Sequence, residues 1–154
     1  MYEKTGRILA LDVGEKRIGV AISDPLGITA QGISVIERQD RKRDVEALRK
    51  LVIEYGVTGL LVGLPRNMNG TLGNKAREVR EFGNLMEQEL GLPVEYQDER
   101  LSTRAVEETL IRADVRRKKR RRVIDKLSAV YILQGYLDRI AGNNKKGVID
   151  KGRD

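Results

Sequence analysis

Apolar positions follow two periods along this chain, and the places where the period changes mark its elements. Residues 7–14 (RILALDVG) and 17–23 (RIGVAIS) are short apolar runs that read as strands, joined by a tight turn at Gly14-Glu15-Lys16. A third strand is predicted over 28–37, with Ile33 and Val35 on one face, completing an antiparallel meander. The period then lengthens. Val45, Leu48, Leu51 and Val52 recur at helical spacing, which predicts a helix over 41–55 with Gly56 as its C-terminal stop.

Beyond that helix, residues 59–63 (GLLVG) form the continuous apolar run expected of a buried parallel strand. Asn67, Asn69 and Gly70 mark a loop between Pro65 and Gly73. A second helix is predicted over 74–90, carrying Ala76, Val79, Phe82, Met86 and Leu90, with Gly91 just past its end. A short strand over 93–97 delivers Asp98, Glu99 and Arg100 at its tip. Ser102 or Thr103 can cap a third helix running to about Ala113. The last helix is predicted over 123–140, and the polar, glycine-containing stretch 141–154 reads as a mobile tail. Three strands followed by alternating helices and strands predict an α/β fold, a mixed sheet with helices packed on it. No repeat or linker divides the chain, so residues 1–140 are expected to form one domain.

Composition narrows the chemistry. The 154 residues are 40% hydrophobic and 34% charged, enough to bury one ordinary core. No apolar run approaches the length of a bilayer span, residues 1–6 lack a secretory apolar segment, and cysteine is absent, so a cytoplasmic location is expected. Histidine is absent too. Together these absences remove Cys and His nucleophiles, His general bases, and the usual nitrogen and sulfur ligands of zinc. Any hydrolysis must run on carboxylates, hydroxyls, Lys or Arg, and carboxylates prefer hard cations such as Mg²⁺ or Mn²⁺.

The charge is concentrated. Lys and Arg number 30 against 23 acids, a net +7, and seven of those cations are consecutive: Arg116, Arg117, Lys118, Lys119, Arg120, Arg121 and Arg122. The rest of the chain is neutral.

Acids at three places in the chain stand out by position. Asp12 interrupts an apolar strand, where an ionised carboxylate is costly unless paired or metal-bound. Asp98 and Glu99 sit where a strand gives way to a loop. Asp125 falls in the first turn of the predicted last helix, where a carboxylate is also good capping chemistry. Each has an ordinary structural explanation: Asp12 could pair with Lys16 or Arg17, and Asp98 or Glu99 could bridge to Arg100 or Arg104. If they converge in the fold they repel one another unless a cation sits between them, a demand that two bound metal ions satisfy.

Four stretches, LALDVGEKRIGVAISD, LLVGLPRNMNGTLG, YQDERLSTRAVEETL and KKRRRVIDKLSAVYILQGYLD, resemble the YqgF family of RuvX-like Holliday junction resolvases. Members of that family are described as nucleases maturing the precursor of small-subunit ribosomal RNA. The similarity runs in unbroken order over residues 7–138. It implies a ribonuclease H-like fold with a mixed five-stranded sheet, three strands antiparallel and the rest parallel. It also implies that Asp12, Glu99 and Asp125 are the metal-binding and catalytic acids, with Asp98 adjacent to the expected position. Two residues depart from the family pattern: Glu15 stands where Thr or Ser is usual, and Ser128 where a second Ala is expected beside Ala129. Neither removes an implied ligand.

A cationic run is usually a solvated stretch. Here it ends three residues before Asp125, so its side chains are expected around the entrance to the metal site, holding phosphates without reading bases. Lys16, Arg17 and Arg100 are candidates for the same role. Asn67, Asn69 and Thr71 could donate to substrate or simply shape a turn. With five Tyr, one Phe and no Trp, base stacking cannot be a major source of affinity.

The expected partner is nucleic acid, precursor ribosomal RNA ahead of branched DNA, with the protein a monomer or weak homodimer. Resolving a four-way junction needs two symmetry-related cuts and hence a dimer, and no dimerisation element is evident. Two rivals remain. Actin- and sugar-kinase-like ATPases share an Asp-x-Gly turn like Asp12-Val13-Gly14, but they need two lobes and a second such hairpin. A non-catalytic RNA-binding assembly factor would use the cationic run alone and leaves Asp12 unexplained.

Overall fold

Strand alternation sorts the apolar side chains onto two faces of one sheet, and the two faces differ in the size of what they carry. The computed structural model describes residues 6–65, 73–98 and 117–153, with side chains outside 117–120 and 143–153. Five strands, β1 (Arg7–Val13), β2 (Arg17–Ser23), β3 (Ala30–Glu37), β4 (Val57–Leu64) and β5 (Val94–Asp98), lie in the order β3-β2-β1-β4-β5. The pairs β1–β2 and β2–β3 are antiparallel, whereas β1–β4 and β4–β5 are parallel. This is the mixed sheet expected.

Leu9, Leu11 and Val13 of β1, with Ile18, Val20 and Ile22 of β2, face helices α1 (Arg41–Tyr55) and α2 (Asn74–Leu90). Val45 and Leu48 of α1, and Val79, Phe82 and Met86 of α2, close that core. The opposite face carries Ile8, Ala10 and Ala21, and packs under Ala129, Ile132, Leu133, Tyr136 and Leu137 of the last helix, α3 (Arg117–Arg153). Small residues on this face let α3 lie close to the strands. Gly19 sits directly beneath the Asp125 backbone, and the Lys126 stem crosses Gly32.

Local chemistry sets the element ends. Asp40 caps α1 by accepting from the Arg43 N–H at 2.8 Å, and Gly56 ends it in the left-handed region at φ 62°. Gly91 does the same for α2 at φ 67°. Strand β3 starts at Ala30, two residues later than predicted, because the Asp24 carboxylate accepts from the N–H groups of Ile28 and Thr29 at 2.6 and 2.9 Å and holds them in a turn. In β1, the register against β4 shifts between Arg7 and Ile8, and the Ile8 N–H is satisfied by the fully buried Ser23 hydroxyl at 2.8 Å.

The last helix differs most from expectation. It starts at Arg117, not at 123, and continues past 140 to Arg153. Arg and Lys are good helix formers, so the cationic run joins the helix rather than preceding it, at a like-charge cost of about 0.2–0.5 kcal/mol per i,i+4 pair. Gly142 and Gly147 do not stop it. The predicted helix over 103–113, the loop residues 66–72 with Asn67, Asn69 and Thr71, and Glu99, Arg100 and Arg116 lie outside the described residues. Among those described, no helix is long and apolar enough to cross a membrane.

Candidate active site

Asp12 is the penultimate residue of β1, at the end where the parallel strands β1, β4 and β5 all finish. By alternation it shares the α3 face with Ile8 and Ala10, and it is half-buried there. Its partner across the β1–β2 ladder is Gly19, which has no side chain to cover it. On the other side, Leu11 pairs with Val62, so the next β4 position is Gly63, a second residue without a side chain. Asp12 is therefore flanked in the sheet by two residues without side chains.

Helix α3 packs on the same face. A Cβ on Gly19 would meet the Asp125 carbonyl oxygen at 1.8 Å, so the strand residue beside Asp12 is also the residue beneath Asp125. Asp12 and Asp125, 113 positions apart, thus share Gly19 as a backbone neighbour. Sequence reading missed Gly19. The available signal was a glycine inside a β-branched strand, which marks a close backbone approach. Asp125 is not in the first turn of its helix; α3 begins eight residues earlier, so capping does not explain this acid.

Asp125 has a specific partner. Its Oδ2 accepts from Arg17 Nε at 2.7 Å, with both side chains 22% exposed. That hydrogen bond raises the guanidinium pKa above its ordinary value. Arg17 opens β2, and its backbone is fixed by the turn before it. The Gly14 N–H donates to the Arg17 carbonyl at 2.9 Å, and Arg38 Nη1 donates to the Gly14 carbonyl at 2.8 Å.

The remaining predicted residues divide. Asp98 is the last residue of β5 and is exposed; it follows the alternation of Val94 and Tyr96, which belong to the α1–α2 face, opposite Asp12. Gln97 and Glu95 take the α3 face. Glu95 accepts a short hydrogen bond from the Tyr136 hydroxyl, and Gln97 keeps a buried Oε1 without a partner among the described residues. Lys16 is exposed on the turn. Arg121 and Arg122 are exposed on α3, with Arg122 Nη2 3.1 Å from Glu37 Oε1. Arg117, Lys118, Lys119 and Arg120 form the first helical turn of α3. Among the described residues no group of three acids is gathered at one point.

The α1–α2 face carries a separate cleft, lined by Val13, Glu15, Arg38, Lys75 and Phe82, which Asp12 and Asp125 do not line.

The fold has known counterparts. Fowlpox virus resolvase, solved with Holliday junction DNA, superposes with a TM-score of 0.55 at 12% identity, covering 87% of this chain and 98% of that one. Thermus thermophilus RuvC, solved with a Holliday junction substrate, gives 0.51 at 13% identity, covering 88% and 96%. At such identities the likeness is one of fold, and the fold is ribonuclease H-like. Sequence relatives are much nearer. A Moorella thermoacetica protein named "Putative pre-16S rRNA nuclease" is 56% identical over 137 residues, 89% of this chain and 98% of its own length. A Clostridioides difficile protein of the same name is 54% identical over 133 residues, 86% of this chain and 94% of its own. Residues 6–139 match the RuvX family, described as Holliday junction resolvase, and the chain belongs to that family.

Proposed function

We propose that this chain is a metal-dependent nuclease that hydrolyses phosphodiester bonds in precursor ribosomal RNA, processing the 5′ end of pre-16S rRNA in the cytoplasm as a monomer or weak homodimer. The observation that carries the reading is that Asp12 and Asp125, acids on two elements remote in sequence, both adjoin Gly19. The names of the relatives favour RNA over branched DNA.

Asp12, Asp125 and Glu99 would hold Mg²⁺ or Mn²⁺. The donors fit such ions: the chain offers only oxygen ligands here, and the Arg17 guanidinium on Asp125 supports a site built to face positive charge. Glu99 is preferred to Asp98 because Asp98 lies on the opposite face from Asp12. When bound, the ions supply an activated water and neutralise charge on the phosphate.

The chain's own groups do the positioning. Asp12 is held by a central strand and Asp125 by a helix anchored in the core, so neither needs to reorganise. Arg116 to Arg122, with Lys16, Arg17 and Arg100, would hold the backbone phosphates on either side of the cut. They would contribute affinity and register rather than base recognition.

One competition tests the reading. A labelled precursor RNA fragment and a synthetic four-way DNA junction are offered to the protein at one ionic strength, with Mg²⁺, Mn²⁺ or EDTA. Metal-dependent cleavage of the RNA is expected. Paired symmetric nicks in the junction with the RNA intact would reassign the substrate, and cleavage in EDTA would end the metal mechanism.

A further inference from the structure

We infer that Arg17 is a resident counter-cation for Asp125, displaced when a divalent metal takes that carboxylate and then free to hold a substrate phosphate. The inference rests on the proposed metal site and assigns it an internal competitor.

The geometry is specific. Arg17 approaches through Nε, at 2.7 Å, onto a single carboxylate oxygen. A divalent ion such as Mg²⁺ binds carboxylate oxygens at about 2.0–2.1 Å and tolerates no neighbouring cation without repulsion. Arg17 takes Oδ2 alone, but a metal on the same carboxylate would set two cations side by side, and their repulsion sets guanidinium against metal. In the absence of metal, the half-buried Asp125 would carry uncompensated charge near Asp12; Arg17 removes that penalty.

Arg17 also has somewhere to go. Its side chain is 22% exposed and rises from the first residue of β2, beside the exposed turn that carries Lys16. Its planar fork matches a phosphate as well as a carboxylate. Once displaced, it would stand at the margin of the site, where a backbone phosphate of the bound strand would neutralise it. Metal and nucleic acid would then favour each other's binding through one side chain. That coupling is reciprocal: whatever factor metal adds to nucleic-acid affinity, nucleic acid adds to metal affinity.

The test begins with the intact wild-type protein. Its Arg17 Nε–H signal, assigned by its absence in Arg17→Lys, is followed by ¹⁵N NMR during Mg²⁺ titration. Loss of the carboxylate hydrogen bond should move it as the site fills; a signal unmoved at saturation would overturn the inference. Calorimetry with Mn²⁺ on nucleic-acid-free protein adds a second reading. Arg17→Met should bind Mn²⁺ about tenfold or more tighter than wild type, the scale on which one neighbouring charge alters a carboxylate's preference. Arg17→Lys should fall between. Unchanged or weaker binding in Arg17→Met would make Arg17 a structural clamp and overturn the inference. If wild type and Asp12→Asn both bind no Mn²⁺, the metal site itself fails, independently of Arg17.

Discussion

A Cβ on Gly19 would stand 1.8 Å from the carbonyl oxygen of Asp125, well inside contact distance. The obstacle is backbone, so it cannot rotate away; α3 would have to lift from the sheet. Gly19→Ala should therefore lower stability by about 1–3 kcal/mol, as overpacking of a tight contact does, and reduce cleavage by displacing Asp125 from Asp12. Thermal denaturation and an RNA cleavage assay measure the two effects together. A wild-type melting temperature would mean that the helix moves freely at this point.

The acids separate by face. Asp12→Asn, Asp125→Asn and Glu99→Gln should each abolish metal-dependent cleavage in folded protein, since the amide keeps the shape but loses the charge. Asp98→Asn should remain active, because Asp98 points with Val94 and Tyr96 to the other face. An active Asp12→Asn would sink the mechanism, whereas an inactive Asp98→Asn with active Glu99→Gln would exchange the two roles.

Replacing Arg120, Arg121 and Arg122 with Ala should weaken nucleic-acid binding and flatten its salt dependence. The slope should fall by about 0.7–0.9 for each phosphate that the protein no longer neutralises. The exposed Arg122–Glu37 pair, at 3.1 Å, adds little stability, so the triple variant should stay folded. An unchanged slope in a filter-binding titration would reduce the run to a solvated helical turn.

Two groups outside the site make stability depend on pH. Backbone donation from Thr29, and then from Ile28, holds the Asp24 carboxylate below its usual value. A depressed folded pKa favours the native state above the unfolded value, about 3.9, and that advantage is lost as pH falls through the folded value. The stability gap between wild type and Asp24→Ala should thus be full at neutral pH and shrink in acid. Tyr136 behaves oppositely. Burial first, and the hydrogen bond to Glu95 second, push its phenol above the usual range. Its contribution is complete below about pH 10 and disappears as pH rises through the raised value. Absorbance titration should show a late-ionising tyrosine that Tyr136→Phe removes.

Much of this fold was legible because local chemistry agreed with the global pattern. Helices α1 and α2 match their predicted ends, where Gly56 and Gly91 adopt the positive φ that glycine tolerates best. The start of α3 was not legible, since seven like charges carry no apolar period to count. The identity of Arg17's partner was not legible either. Sequence proximity suggested Asp12, but the partner Asp125 lies 108 positions away, and only packing of α3 on Gly19 brings it near. Asp12 and Asp125 were readable as unusual acids, whereas their common neighbour, Gly19, has no side chain to mark it.

Helix α3 carries Asp125 and, two turns on, the fully buried Leu133 in one unbroken run. Amide hydrogens over that stretch should consequently exchange with solvent only through the rare openings that also release the core, not through local breathing. On the proposed reading, any rearrangement that admits a bulky polymer would then fall outside this helix. By the same reading, Asp125 would keep its geometry until the protein unfolds, and heat inactivation and loss of tertiary structure should coincide.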